Sequence, residues 1–167
     1  MGLKAFSHAL ETSAVGDYIA SSAAAFPLLE SIHVIAIVTV FGTVAMMDLR
    51  LLGLASTNRT VTAVSHDTLR LTWGAFAVAL ATGSLLFVSR AASYTVNPYF
   101  LWKMVLLLLA GLNMALFHAF TWRGVERWNA GSSIPLAAKV AGGLSLLFWV
   151  AVVFCGRVIG FTLGVYV

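Results

Sequence analysis

Residues 28–53 read LLESIHVIAIVTVFGTVAMMDLRLLG, a run longer than the ~20 apolar residues that cross a hydrocarbon core as a helix. Its few polar groups are not scattered. At about 100° per residue Glu30, His33, Ile37, Val44 and Asp48 fall in one sector of the helical wheel. Ionisable groups inside a bilayer cost several kcal/mol unless paired or solvated, so this stripe faces a protein interior, a cofactor or a cavity.

Composition agrees with a membrane-spanning reading. Hydrophobic residues make up 60% of the 167 and charged residues only 10%, proportions foreign to a soluble domain. The net charge of +4 comes from basic residues at the ends of apolar spans, which serves topology and not nucleic-acid binding. A single cysteine, Cys155, rules out an intramolecular disulfide framework and any CxxC metal motif.

Outward from the first span, apolar stretches recur at about 69–92, 99–121 and 137–160. The fold class expected is all-α, a four-helix transmembrane bundle over residues 28–167 preceded by an N-terminal amphipathic interfacial helix within 1–27. Leu3, Phe6, Leu10 and Ala14 gather on one face of that first helix, opposite Lys4, His8, Glu11 and Thr12. Lys4, Glu11 and Asp17 interrupt any signal-peptide core. Polar residues 55–67 read as an interfacial turn of helix leading into the second span, Asn97-Pro98 as a short turn, and residues 129–135 as a looser one. Short connections make consecutive helices antiparallel.

Arg50, Arg59, Arg70, Arg123, Arg127 and Lys139 then lie near one membrane side, and Lys4, Arg90, Lys103 and Arg157 near the other, which holds the N-terminus. The positive-inside rule makes the first side cytoplasmic. Both termini are then expected on the periplasmic side of a bacterial inner membrane.

The second span sets Gly74, Ala77, Ala81 and Ser84 on one face and Ala75, Ala79 and Thr82 on another; the fourth aligns Gly142, Ser145, Gly156 and Gly160. Such stripes let helix backbones approach closely, and a spare one on the second helix predicts a homo-oligomer. In the third span Lys103, Leu107, Gly111, Met114 and His118 share a face. Two histidines, a lysine and a gap at Gly111 suit a planar, anionic, apolar cofactor such as haem b, whose iron takes imidazole and whose propionates take cations.

Antiparallel helices put His33 and His118 at different depths, roughly 20 Å apart, so they do not clamp one iron. The expectation is one or two haems. A haem on the N-terminal side uses His33, with Lys103, Arg90 and Arg157 toward the propionates and Met104 as sixth ligand. A second site on the other side uses His118, joined by His66. Each residue also has a plainer reading: intramembrane histidines serve as interhelical hydrogen-bonding groups, His66-Asp67 as a solvated pair, and Asp48 and Arg50 as ion-pair partners of the third or fourth helix.

The runs ESIHVIAIVTVFGTVAMMDLRLLG, LTWGAFAVALATGSLLF and YTVNPYFLWKMVLLLLAGLNMALFH resemble a family of uncharacterised small four-helix bacterial membrane proteins, Asp48-Leu49-Arg50 and Asn113 included. More distantly they resemble the copper-resistance D type membrane proteins and the bacterial membrane protoporphyrinogen oxidases. In the oxidases an early-helix histidine, a second-span glycine and a Trp/Lys third helix ending in histidine occur in the same order, matching His33, Gly83, Trp102, Lys103 and His118. That resemblance implies a haem b protein with a redox function, His33 being the first ligand. Two function classes follow: a membrane haem protein that takes electrons from a quinol or another lipid-side donor, and a cofactor-free or copper-handling membrane protein.

Overall fold

The computed structural model describes residues 2–129 and 133–166, without the side chain of Leu3. All regular elements among them are helical: α1 (Leu3–Glu11), α2 (Ala14–Ser21), α3 (Ala25–Leu52), α4 (Val61–Ser89), α5 (Ala91–Val96), α6 (Pro98–Leu116) and α7 (Leu136–Thr162). After α6 the helix widens into a π turn at Phe117–Thr121 and tightens into a 3₁₀ turn at Trp122–Arg127. Four helices are long and apolar enough to span a bilayer, and the chain is a multi-pass membrane protein.

Local chemistry sets the ends of these helices. Gly53 closes α3 at φ 77°, a left-handed conformation that costs glycine nothing. Thr60 opens α4 by accepting from the Ala63 amide, so the helix starts at Val61, within the segment read as a turn of helix leading into the second span, and runs on without a break. His66 and Asp67 therefore lie on a helix. Asn97 caps α6 by accepting from the Tyr99 and Phe100 amides, with Pro98 at the first helical position. Fully buried, it also donates from Nδ2 to Thr162 Oγ1 at 3.0 Å, tying the start of α6 to the end of α7.

The N-terminal region is two helices and not one. The chain breaks at Ser13, whose hydroxyl caps α2 through the Gly16 amide, and Gly16 turns so tightly that a β-carbon there would lie 2.6 Å from the Glu11 carbonyl oxygen. α1 rests on α5 and α4, α2 on α4 and α3. The Glu11 carboxylate accepts from the Ala92 amide at 3.1 Å, whereas Phe6 and Ala14 on the apolar face point outward. Of the turn expected at residues 129–135, residues 130–132 lie outside the described residues.

α3 packs against α4 and α7, and α7 against α6. The spatial order is thus α4–α3–α7–α6, with a cleft where α4 and α6 face each other. Val40, Trp149 and Val152 form the mid-bundle core. Leu51, Val61, Phe117, Val125, Trp128 and Ala138 form a second core where the helix ends meet. Gly142 brings α7 against α3: a β-carbon there would be 3.1 Å from the Asp48 carbonyl oxygen and 3.2 Å from Leu51 Cβ. Ala79 and Thr82 turn inward, while Gly74, Ala77, Ala81 and Ser84 remain on the outer surface of α4.

Candidate functional site

Two polar stations occupy opposite halves of the bundle. The first is built around His33, one turn into the apolar part of α3. Its Nδ1 lies 3.0 Å from Thr82 Oγ1 on α4, and the Thr82 hydroxyl spends its own proton on the Val78 carbonyl at 2.7 Å. Nδ1 is therefore the donor, and Nε2 keeps a lone pair. The imidazole is seated against Gly83, where a β-carbon would stand 2.9 Å from His33 Cε1.

Lys103 of α6 reaches toward the same half of the bundle. Its Nζ would lie 3.9 Å from a β-carbon at Gly156 on α7. The side chain is half-buried, and no carboxylate among the described residues pairs with it. The station thus combines an oriented imidazole with a cation that lacks an anion. Arg90 and Arg157 stand near this side, but each lies over an aromatic ring, Arg90 4.8 Å from the Phe26 centroid and Arg157 4.5 Å from that of Phe161. Beside Arg90, burial pushes the Tyr94 phenol up, Glu30 adding to the rise and Arg90 opposing it. Met104 is exposed on α6.

The second station is a cavity of about 360 Å³ in the cleft between α4 and α6, walled also by α3 and α7. Trp73, Phe76, Phe117 and Trp149 supply aromatic wall, and Gly111 contributes open space, since a β-carbon there would meet nothing within 4 Å. His118 lines this cavity. His118 stands in the π turn that follows α6, and its Nδ1 donates to the Met114 carbonyl one turn back at 2.9 Å. Nε2 of His118 is again the acceptor nitrogen.

Asp48 lines the same cavity while only 5% exposed, and its Oδ2 has no hydrogen-bond partner among the described residues. Ser145 of α7 is a hydrogen-bonding neighbour of the carboxyl. The ion-pair reading of Asp48 and Arg50 is not what forms. Arg50, equally buried, donates from Nε to the Arg59 carbonyl at 2.8 Å and so braces the α3–α4 connection. Arg59 pairs with Asp67.

His33 and Lys103 therefore lie in the same half of the bundle, and His118 and Gly111 line one cavity in the other. Fifteen residues of helix separate Lys103 from His118, roughly 20 Å along the axis. His66 joins neither group: its side chain is 79% exposed, 3.7 Å from Asp67, and it does not line the cavity. Met46 is exposed and Met47 packs into the end core, so neither accompanies His33. Among the described residues no three His, Cys, Asp or Glu side chains converge on one point.

Thr82, Ser145 and Asn113 were not singled out as site residues by spacing. Thr82 stands on the inward face with Ala79, and that position was its only signal. Asn113 donates to the Ala141 carbonyl at 2.9 Å, joining α6 to α7 at the cavity wall.

No curated protein and no solved structure matches the chain. Residues 6–162 match the profile of a family of unknown function, DUF6644. With four apolar helices and nearly its whole length inside that match, the chain belongs to the DUF6644 family.

Proposed function

We propose that this protein is a membrane-embedded b-type haem protein with an electron-transfer role, in which His33 would hold the iron and Lys103 would offset the charge of a propionate. One observation carries the reading. His33 is held by Thr82 so that Nδ1–H is donated and Nε2 is left as a lone pair, which is how a ligating histidine is oriented by its outer hydrogen bond. Two features support the group: the imidazole is seated against Gly83, and no carboxylate among the described residues pairs with Lys103, which leaves a cation for a propionate. A bound haem b supplies one-electron chemistry. The chain's own part is to orient the imidazole, keep water from it with surrounding apolar helices, and neutralise a carboxylate.

The attachment is non-covalent, since no CxxCH motif is present. The protein belongs in a bacterial inner membrane with both termini on the periplasmic side, a reading supported by the excess of Arg and Lys at the opposite helix ends. It assembles as a homo-oligomer through the outward small-residue stripe of α4. Protein purified in mild detergent from cells supplied with haem precursor is expected to be red, with a Soret band and a b-type pyridine haemochrome. A colourless, folded preparation from such cells would overturn the haem reading.

A further inference from the structure

The cavity between α4 and α6 lies in the half of the bundle away from His33 and Lys103, and the haem reading makes no use of it. At about 360 Å³ it falls within the ~300–1,000 Å³ that small-molecule sites occupy. α4 and α6 do not pack side by side, so the cavity opens laterally toward lipid. A ligand reaches it from the bilayer.

Polar atoms in the wall narrow the ligand's chemistry. The Oδ2 atom of Asp48 is buried without a partner among the described residues, an arrangement that is unfavourable unless something completes it. His118 presents a second acceptor, Nε2, because Nδ1 is committed to the Met114 carbonyl. The buried Asp48 Oδ2 lacks a donor among the described residues, and the exposed His118 offers Nε2 in the same wall, so a ligand that brings a hydroxyl donor suits the site. Trp73, Phe76, Phe117 and Trp149 in the same wall favour a flat ring, since aromatic faces stack on one another in offset or edge-to-face contact.

We propose that this cavity is an intramembrane hydroquinone site, in which the Asp48 carboxyl accepts a hydrogen bond from a ring hydroxyl and the aromatic walls hold the ring. The partner class is a lipid-soluble quinol arriving from the membrane. The proposal does not depend on haem: ligand binding is read by the protein's own tryptophans, so binding to a colourless protein supports the site while defeating the haem reading.

The test is an anaerobic titration of the purified full chain in mild detergent with tetramethylhydroquinone, read by tryptophan fluorescence, to which Trp73 and Trp149 in the cavity wall contribute two of the five emitters. The expected result is saturable quenching that dodecanol, a hydroxyl without a ring, does not compete away. Asp48→Asn keeps the shape but replaces one acceptor oxygen with a donor, and is expected to weaken binding about tenfold, the worth of one hydrogen bond. Gly111→Phe puts a ring into open space and is expected to abolish binding while thermal unfolding stays near that of the parent. Absence of saturable quenching, equal binding by both variants and the parent, or full competition by dodecanol would each overturn the proposal.

Discussion

Gly83 and His33 are fitted to each other: a β-carbon at position 83 would stand 2.9 Å from Cε1 of the imidazole, closer than two carbons can pack. Gly83→Val therefore displaces the ring from α4 and breaks its bond to Thr82. Overpacking of this kind costs about 1–3 kcal/mol. The expected outcome is a lower melting temperature in detergent together with a lost or shifted haem spectrum. An unchanged spectrum in Gly83→Val would separate the ring's seat from any ligand role.

The contact of Gly142 with α3 is tighter in consequence because its neighbour is backbone. A side chain there meets the Asp48 carbonyl oxygen at 3.1 Å and Leu51 Cβ at 3.2 Å, and neither is the end of a flexible chain. Without a hydrophobic force between helices in lipid, van der Waals packing is what such a crossing contributes. Gly142→Leu should destabilise the bundle by about 1–3 kcal/mol, measured by thermal or denaturant unfolding in micelles. Gly111→Leu, which fills open space, should cost much less.

Asn97 performs two tasks from one buried side chain, capping α6 and donating to Thr162. Asn97→Ala removes both and leaves the Tyr99 and Phe100 amides uncapped. Loss of an N-cap alone costs about 0.5–2 kcal/mol, and the lost tie to α7 adds to it. Asn97→Asp, which keeps the cap but not the Nδ2 donor, should fall between the alanine variant and the parent in unfolding measurements.

The four spans and the Asn97-Pro98 turn were legible because hydropathy and proline geometry are local properties. So was the pairing of Lys103 with the His33 side of the membrane, which follows from antiparallel connection alone. Helix order was not legible: periodicity tells which face of α4 is inward but not that α6 stands across a cleft from it. The start of α4 at Val61 was obscured because its first turns are polar, and only the Thr60 cap marks them. The π turn that carries His118, and the Thr82 hydroxyl that orients His33, arise from contacts made after the chain has folded. Asp48 was visible as a polar group on the stripe, yet its lack of a partner is a tertiary fact.

The outward stripe Gly74, Ala77, Ala81 and Ser84 predicts self-association. Ala77→Leu with Ala81→Leu should shift a discrete larger species toward the single chain in mild detergent, followed by native mass measurement. A parent protein that is monomeric across concentrations and several detergents would remove the basis for the oligomer.

The most direct test of the central claim is the visible spectrum of His33→Ala beside that of His118→Ala, each purified with the parent and assayed as the pyridine haemochrome. Separation of the two imidazoles by roughly 20 Å along the bundle predicts that His33→Ala loses the signal of the haem beside Lys103, while His118→Ala retains it. Equal loss of one bis-histidine spectrum in both variants, with the fold intact, would contradict the account.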